Sequence, residues 1–250
     1  MTNYFILIFI NLFVYGTTIY ASDEVVSDLS AESISINTSF NGSEILIFGS
    51  IKRDNNLLIP SNIIIELIGS NVPVIVRKKK KIFGIWVNSD PVEIAKSPSY
   101  YSLLYTKSPE LILTKLEQKK AGIGRQKFAN SDTASQAYNN AIDAIIRIKS
   151  NDGSYQLGKA ISLKNETLFS ATVSLPSNLT EGNYKTIIHL VQNKKIINSS
   201  NGIIRVRKIG LEKWLYNFAH EKPLFYGVFS VLLALFSGWS ASAIFRRFQH

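Results

Sequence analysis

Not one cysteine occurs in the chain. That excludes thiol nucleophiles, disulfide exchange and cysteine metal sites, so core packing alone must hold any domain together. Histidine is nearly as scarce, with three copies. His189 falls within a strand pattern, His220 just before the last apolar run and His250 at the C-terminus, so they do not make a metal triad. Short catalytic signatures are missing as well: there is no Gly-x-Ser-x-Gly, no His-Glu-x-x-His and no Walker loop. Gly122-Ile123-Gly124 is a lone glycine pair without the strand-then-helix setting of a phosphate loop. Asp90, Glu93 and Glu110 are scattered acids. No catalytic, cofactor-binding or metal-binding set is legible, and a non-enzymatic protein is the expectation. A triad assembled only by folding is the competing class.

Charge is missing from two places. Tyr4 to Tyr20 and Pro223 to Phe245 contain no charged residue, and all 18 acidic residues lie between these runs with every basic residue except Arg246 and Arg247. As a helix the second run would be roughly 34 Å long, enough for a hydrocarbon core of about 30 Å. The paired arginines that follow favour the cytoplasmic side. The first run, within residues 1–21, reads as a signal peptide with Ile19 and Ala21 before the cleavage point, or as an uncleaved anchor. Both readings place Ser22 to Lys222 outside the cytoplasm, which leaves 246–250 as a short cytoplasmic tail. Within the exported part the basic excess is dispersed, apart from Arg77-Lys78-Lys79-Lys80-Lys81, which reads as a solvated strand end. Nucleic acid is not an expected partner there. Five Asn-x-Ser/Thr triplets, beginning at Asn37, Asn41, Asn165, Asn178 and Asn198, have the form of glycosylation sequons. In a chain this rich in Asn and Ser they are expected by chance, unless the protein is a eukaryotic single-span glycoprotein.

The exported region, 22–208, is predicted to be mainly β. It reads as an immunoglobulin-like or sandwich-type domain, or as two units over 22–110 and 154–208 with one amphipathic helix at 131–149 between them. Glu44 to Ile51 and Asn62 to Ile68 are short runs rich in β-branched residues and ended by turn formers. Gly69-Ser70-Asn71 is read as a hairpin turn into Val72 to Val76, with Pro73 requiring an edge. Lys81 to Asn88 alternates as one strand. Tyr100 to Tyr105 and Pro109 to Lys120 are read as a helical turn or two. In the helix, Ala134, Tyr138, Ala141, Ile142, Ile145 and Ile148 form a stripe, capped by Asn130, Ser131 or Asp132 and ended by Asp152-Gly153. Further strands follow at Ala160 to Leu163, Thr167 to Leu175, Tyr184 to Val191 and Gly202 to Arg207. The stretch Leu175 to Tyr184 suits a corner with the tyrosine packed under the loop, and Asn193-Lys194-Lys195 suits a hairpin tip.

Residues 209–222 are predicted to be an interfacial helix. Leu211, Trp214, Leu215 and Phe218 share one face, and Trp214 and Tyr216, with Phe218 and His220, are placed at the headgroup level. Within the span, Ser230, Ala234, Gly238 and Ser242 recur every four residues, a spacing that lets helix backbones approach closely.

Arg207 to Gly227, with Gly238-Trp239 and Phe245-Arg246-Arg247, resembles an alphaproteobacterial family of transmembrane proteins without an established activity. Phe83 to Asn88, Pro98 to Tyr101 and Leu175-Pro176 with Gly182 to Tyr184 are similar to its other recurring stretches. The resemblance implies an inner-membrane protein with its domain in the periplasm. Its genes often stand beside permeases like sulfite exporters, which implies a transport-accessory role, with a permease or a second copy as the membrane partner. A periplasmic small-ligand receptor or an uncharacterised enzyme is the alternative.

Overall fold

The computed structural model describes residues 23–53, 59–128 and 135–248. The N-terminal apolar run, the expected cap residues Asn130, Ser131 and Asp132, Ala134 and His250 lie outside them, as do the side chains of Leu211 and Arg247.

Strands β1 (Glu24–Leu29), β3 (Ser43–Lys52), β10 (Leu168–Leu175) and β9 (Ser162–Lys164) form a four-stranded sheet in the order β1-β3-β10-β9. A six-stranded sheet has the order β2 (Ser33–Ile36), β12 (Lys195–Lys208), β11 (Gly182–Gln192), β4 (Asn62–Ile68), β7 (Tyr101–Tyr105), β8 (Tyr155–Ala160). The sheets stack as a sandwich. Ile45, Ile47, Ile51, Phe169 and Val173 meet Ile63, Ile65, Leu67, Tyr184, Ile188 and Ile204 in one buried core. On β3 and β10 buried and exposed residues alternate, as expected for strands with one wet face.

β4 does not alternate: Ile63 to Leu67 are all buried. Its second face lies under a helical layer made by α1 (Pro109–Ile112), α2 (Lys115–Ala121), a 3₁₀ turn (Gly124–Lys127) and α3 (Gln136–Asn151). This layer connects β7 to β8, which pair in parallel. A parallel pair needs such a crossover, because a two-residue turn cannot return the chain to the same end of the sheet. Ile64, Tyr101, Ile112, Phe128, Tyr138, Ile142 and Ile145 form the second core beneath it.

The mainly β architecture is as read from the sequence, and several local readings are corrected. The two stretches offered as separate units contribute neighbouring strands to both sheets, β3 beside β10 and β4 beside β11, so they interleave. Tyr101–Tyr105 is a strand and not a helical turn; it pairs with β4 over its whole length. Gly69-Ser70 is not a hairpin turn. Gly69 donates its N–H to Tyr100 and Ser70 accepts from Ser99, so this linker is tied to the returning chain while β5 (Asn71–Ile82) leaves the sheet. β5 pairs only with β6 (Ile85–Pro98), and the turn between them is Phe83-Gly84, in the middle of what reads as one strand. Both strands of such a ribbon are edges, so Pro73 and Pro91 are tolerated without a lost ladder bond. The helix begins later than predicted: Ser135 caps α3 by accepting from the Tyr138 N–H. Asp152 and left-handed Gly153 end it where expected. The corner reading is matched in detail, since the buried Tyr184 hydroxyl donates to the Thr180 carbonyl at 2.8 Å.

Candidate functional site

Three arrangements gather functional groups. The first is the β5–β6 ribbon where it crosses α3. Val74, Val76, Val92 and Ile94 hold its base on the helical core. Lys149, in the last turn of α3, donates to the Pro98 carbonyl at 3.1 Å and stands 5.2 Å over the Tyr155 ring. Burial there lowers the Lys149 pKa, opposed by nearby Asp152. Farther along, ribbon and helix part to leave a groove of about 550 Å³. Its floor includes Ala137, Ala141, Ala144 and Ile148, and its walls carry Arg77, Lys78, Lys79, Lys80 and Arg147 against one acid, Asp90. Five cations to one anion around an apolar floor suit an anionic or anionic-amphiphilic molecule. Beyond the groove the ribbon stands alone, and Ile82, Phe83, Ile85 and Trp86 at its end are exposed.

The second is a buried polar network that the sequence reading did not find. Glu66, in the middle of β4, is completely buried. Its carboxylate accepts from the Tyr101 hydroxyl at 2.5 Å and faces Lys127 Nζ and His189 Nε2, each at 3.4 Å. Tyr101 Oη in turn accepts the Gly124 N–H at 2.8 Å. Burial and the neighbouring Glu66 carboxylate push the Tyr101 pKa well up. His189 Nδ1 lies 2.8 Å from Ser199 Oγ, its direct cross-strand neighbour on β12. The row Ser199, His189, Glu66 has the order of a hydrolase triad, and Lys127 and Tyr101 share the same carboxylate, so Glu66 also clamps the 3₁₀ turn to the sheet. The signal for it was one acid inside a seven-residue apolar strand: a charge there must be paired. The other acids singled out earlier do not join it. Among the described residues no group of three or more His, Asp or Glu is placed to hold a metal ion.

The third is the route to the C-terminus. Gly210, at φ 100°, turns the chain into α4 (Leu211–Glu221), and α5 (Pro223–Phe248) follows. Lys213 ties α4 to the domain through Glu181 at 3.2 Å. Trp214 stacks on Phe218 at 5.3 Å, and Tyr216 stacks on His220 at 4.0 Å. These are two i,i+4 pairs, offset by two residues, so the aromatic side chains occupy two sides of α4 and not one stripe. Phe218 also meets Tyr226 and Phe229 of α5 edge-on. Along α5, Pro223–Arg246 is a 24-residue stretch whose most apolar 18-residue window has a mean hydropathy of 1.9 and is not buried. Ser230, Ala234, Gly238 and Ser242 are exposed on it. The Ser230 hydroxyl is satisfied by the Tyr226 carbonyl, and a side chain added at Gly238 would meet nothing within 4 Å.

A helix this long, apolar and uncovered fits the match found for the whole domain and span: residues 24–247 match the family described as "Putative transmembrane protein (Alph_Pro_TM)". The chain belongs to this family. No curated protein matches it. The Alph_Pro_TM assignment and α5 together make it a membrane protein, with one candidate span, at its C-terminal end, among the described residues.

Proposed function

We propose that this Alph_Pro_TM protein is a non-enzymatic accessory of the inner membrane, its β domain in the periplasm and its last residues in the cytoplasm. The domain would hold or regulate a membrane partner, a permease resembling the sulfite exporters or a second copy of the chain. The observation that carries the reading is α5, whose small residues are exposed along a span that no described residue buries. Small residues at four-residue spacing gain contact only against another helix. The paired Arg246 and Arg247 directly after the span support the orientation. The test is a photo-crosslinker placed at Ala234 in native membranes, followed by identification of the adducts. Adducts with one membrane protein or with the chain itself are expected, and adducts with lipid alone overturn the reading. A reporter fused after His250 that is active only in the periplasm overturns the orientation.

A receptor for small anions is the second reading, favoured by the basic groove between the ribbon and α3. Under it an anionic ligand raises the melting temperature of the wild type and fails to do so for Arg147→Gln.

A further inference from the structure

The β5–β6 ribbon ends in a feature that the span and the groove do not explain. Phe83 is 101% exposed and Trp86 65%, with Ile82 and Ile85 paired across the ribbon just below the turn. Phe83 and Gly84 both have positive φ, 47° and 85°. In a two-residue turn of this hand, Asn or Asp at the first position relieves the backbone and also meets water. A phenylalanine there goes against both preferences. Its place is explained if the tip does not spend its time in water.

We propose that this tip is a second membrane contact. It seats Ile82, Phe83, Ile85 and Trp86 at the boundary between headgroups and acyl chains of an anionic bilayer, the same one that holds α5. Directly below the tip stand Arg77, Lys78, Lys79, Lys80 and Lys81, all in β5. Lys81 stands beside the tip, and Arg77 to Lys80, across the register shift between Arg77 and Lys79, line the groove against α3 behind it. Ile85 and Trp86, consecutive residues of an extended strand, point to opposite faces. A protein partner is met on one face, whereas a lipid layer surrounds an inserted tip and so meets Ile82, Phe83, Ile85 and Trp86 together. Depth order agrees: the aromatic and aliphatic groups lead, Trp86 lies at the level where indoles concentrate, and the lysines follow with stems long enough to reach phosphates.

The absence of cysteine makes the test direct. Phe83→Cys in the full-length chain offers one thiol for an environment-sensitive fluorophore. The labelled protein is placed in nanodiscs of phosphatidylcholine alone or of phosphatidylcholine with phosphatidylglycerol. Some discs also carry a nitroxide high on the acyl chain. The expected result is blue-shifted, nitroxide-quenched emission in the anionic discs and emission near that of water in the neutral ones. Lys79→Gln and Lys80→Gln should each lower the inserted-to-free ratio about fivefold. Circular dichroism melts of the same samples show whether the domain is intact. Water-like emission in both compositions overturns the proposal, and so does equal burial in both. Burial that appears only when solubilised membrane proteins are added assigns the tip to a protein partner instead.

Discussion

Glu66 shows how much one buried side chain can organise. Its carboxylate is the shared acceptor of Tyr101, Lys127 and His189, groups from a neighbouring strand, the helical layer and the next strand along. Removing it strands a lysine and a hydroxyl in a dry site. Glu66→Ala is therefore expected to lower stability by about 3 kcal/mol or more, whereas Glu66→Gln keeps an acceptor for Tyr101 and should lose less. Urea denaturation of both variants in detergent measures the difference, and equal losses would mean that the charge itself carries the clamp. The buried tyrosines of the domain set a pH limit. Burial pushes the Tyr155 pKa from 10.0 up to about 12, and burial also raises those of Tyr100 and Tyr184. A raised pKa means that the folded state holds the phenolic proton longer than the unfolded state. The associated stability is complete below pH 10 and is lost between pH 10 and 12, at no more than about 1.4 kcal/mol per pH unit for one tyrosine. Denaturation midpoints across that range should fall, and Tyr155→Phe should fall less steeply than wild type.

At the level of elements, the sequence was most legible where one face is wet. The alternation in β3 and β10 and the three- and four-residue spacing of Tyr138, Ile142 and Ile145 led to the correct element types. Tyr101–Tyr105 was misread because it is buried on both faces, and a strand without alternation has no period to detect. The ribbon was misread for a different reason. Its turn holds Phe83 where turn chemistry calls for Asn or Asp, so the tip passed for the middle of a strand. The same mismatch gives a prediction. Phe83→Asn should stabilise the ribbon turn in detergent by up to about 1 kcal/mol, the order of the cost of a left-handed backbone at a residue with a β-carbon. The readout is the thermal midpoint, and a lowered midpoint would show that Phe83 packs on something in the free protein. The Glu66 clamp was partly legible, as a lone acid in an apolar strand. Its partners were not, because Lys127 and His189 reach it only through pairing and a crossover that no local pattern encodes.

For the whole molecule, the membrane segment could be read from length and charge alone, while the interleaving of the two halves could not. β3 chooses β10 and β4 chooses β11 through register, which leaves no trace in composition. The span carries its own prediction. Gly238→Leu should leave folding and membrane insertion intact, since leucine is as apolar as its neighbours, and should reduce recovery of a membrane partner in mild detergent by separating the two backbones. Equal recovery from wild type and variant would mean that this side of α5 faces lipid. The parallel pairing of β2 with β12 has a consequence for how the molecule is born. Ser33 to Ile36 must wait for Arg205 to Lys208, and the backbone N–H of Arg205 reaches the Glu32 carbonyl from the far end of the domain. A ribosome delivers these partners first and last. By the time β12 exists, the next residues to emerge are α4 and the anchor itself, so β2 stays unpaired through nearly the whole of synthesis. Loop closure over that distance is slow. The sandwich is thus completed beside the bilayer, and a nascent chain stopped before β12 remains a client for chaperones rather than a smaller working domain.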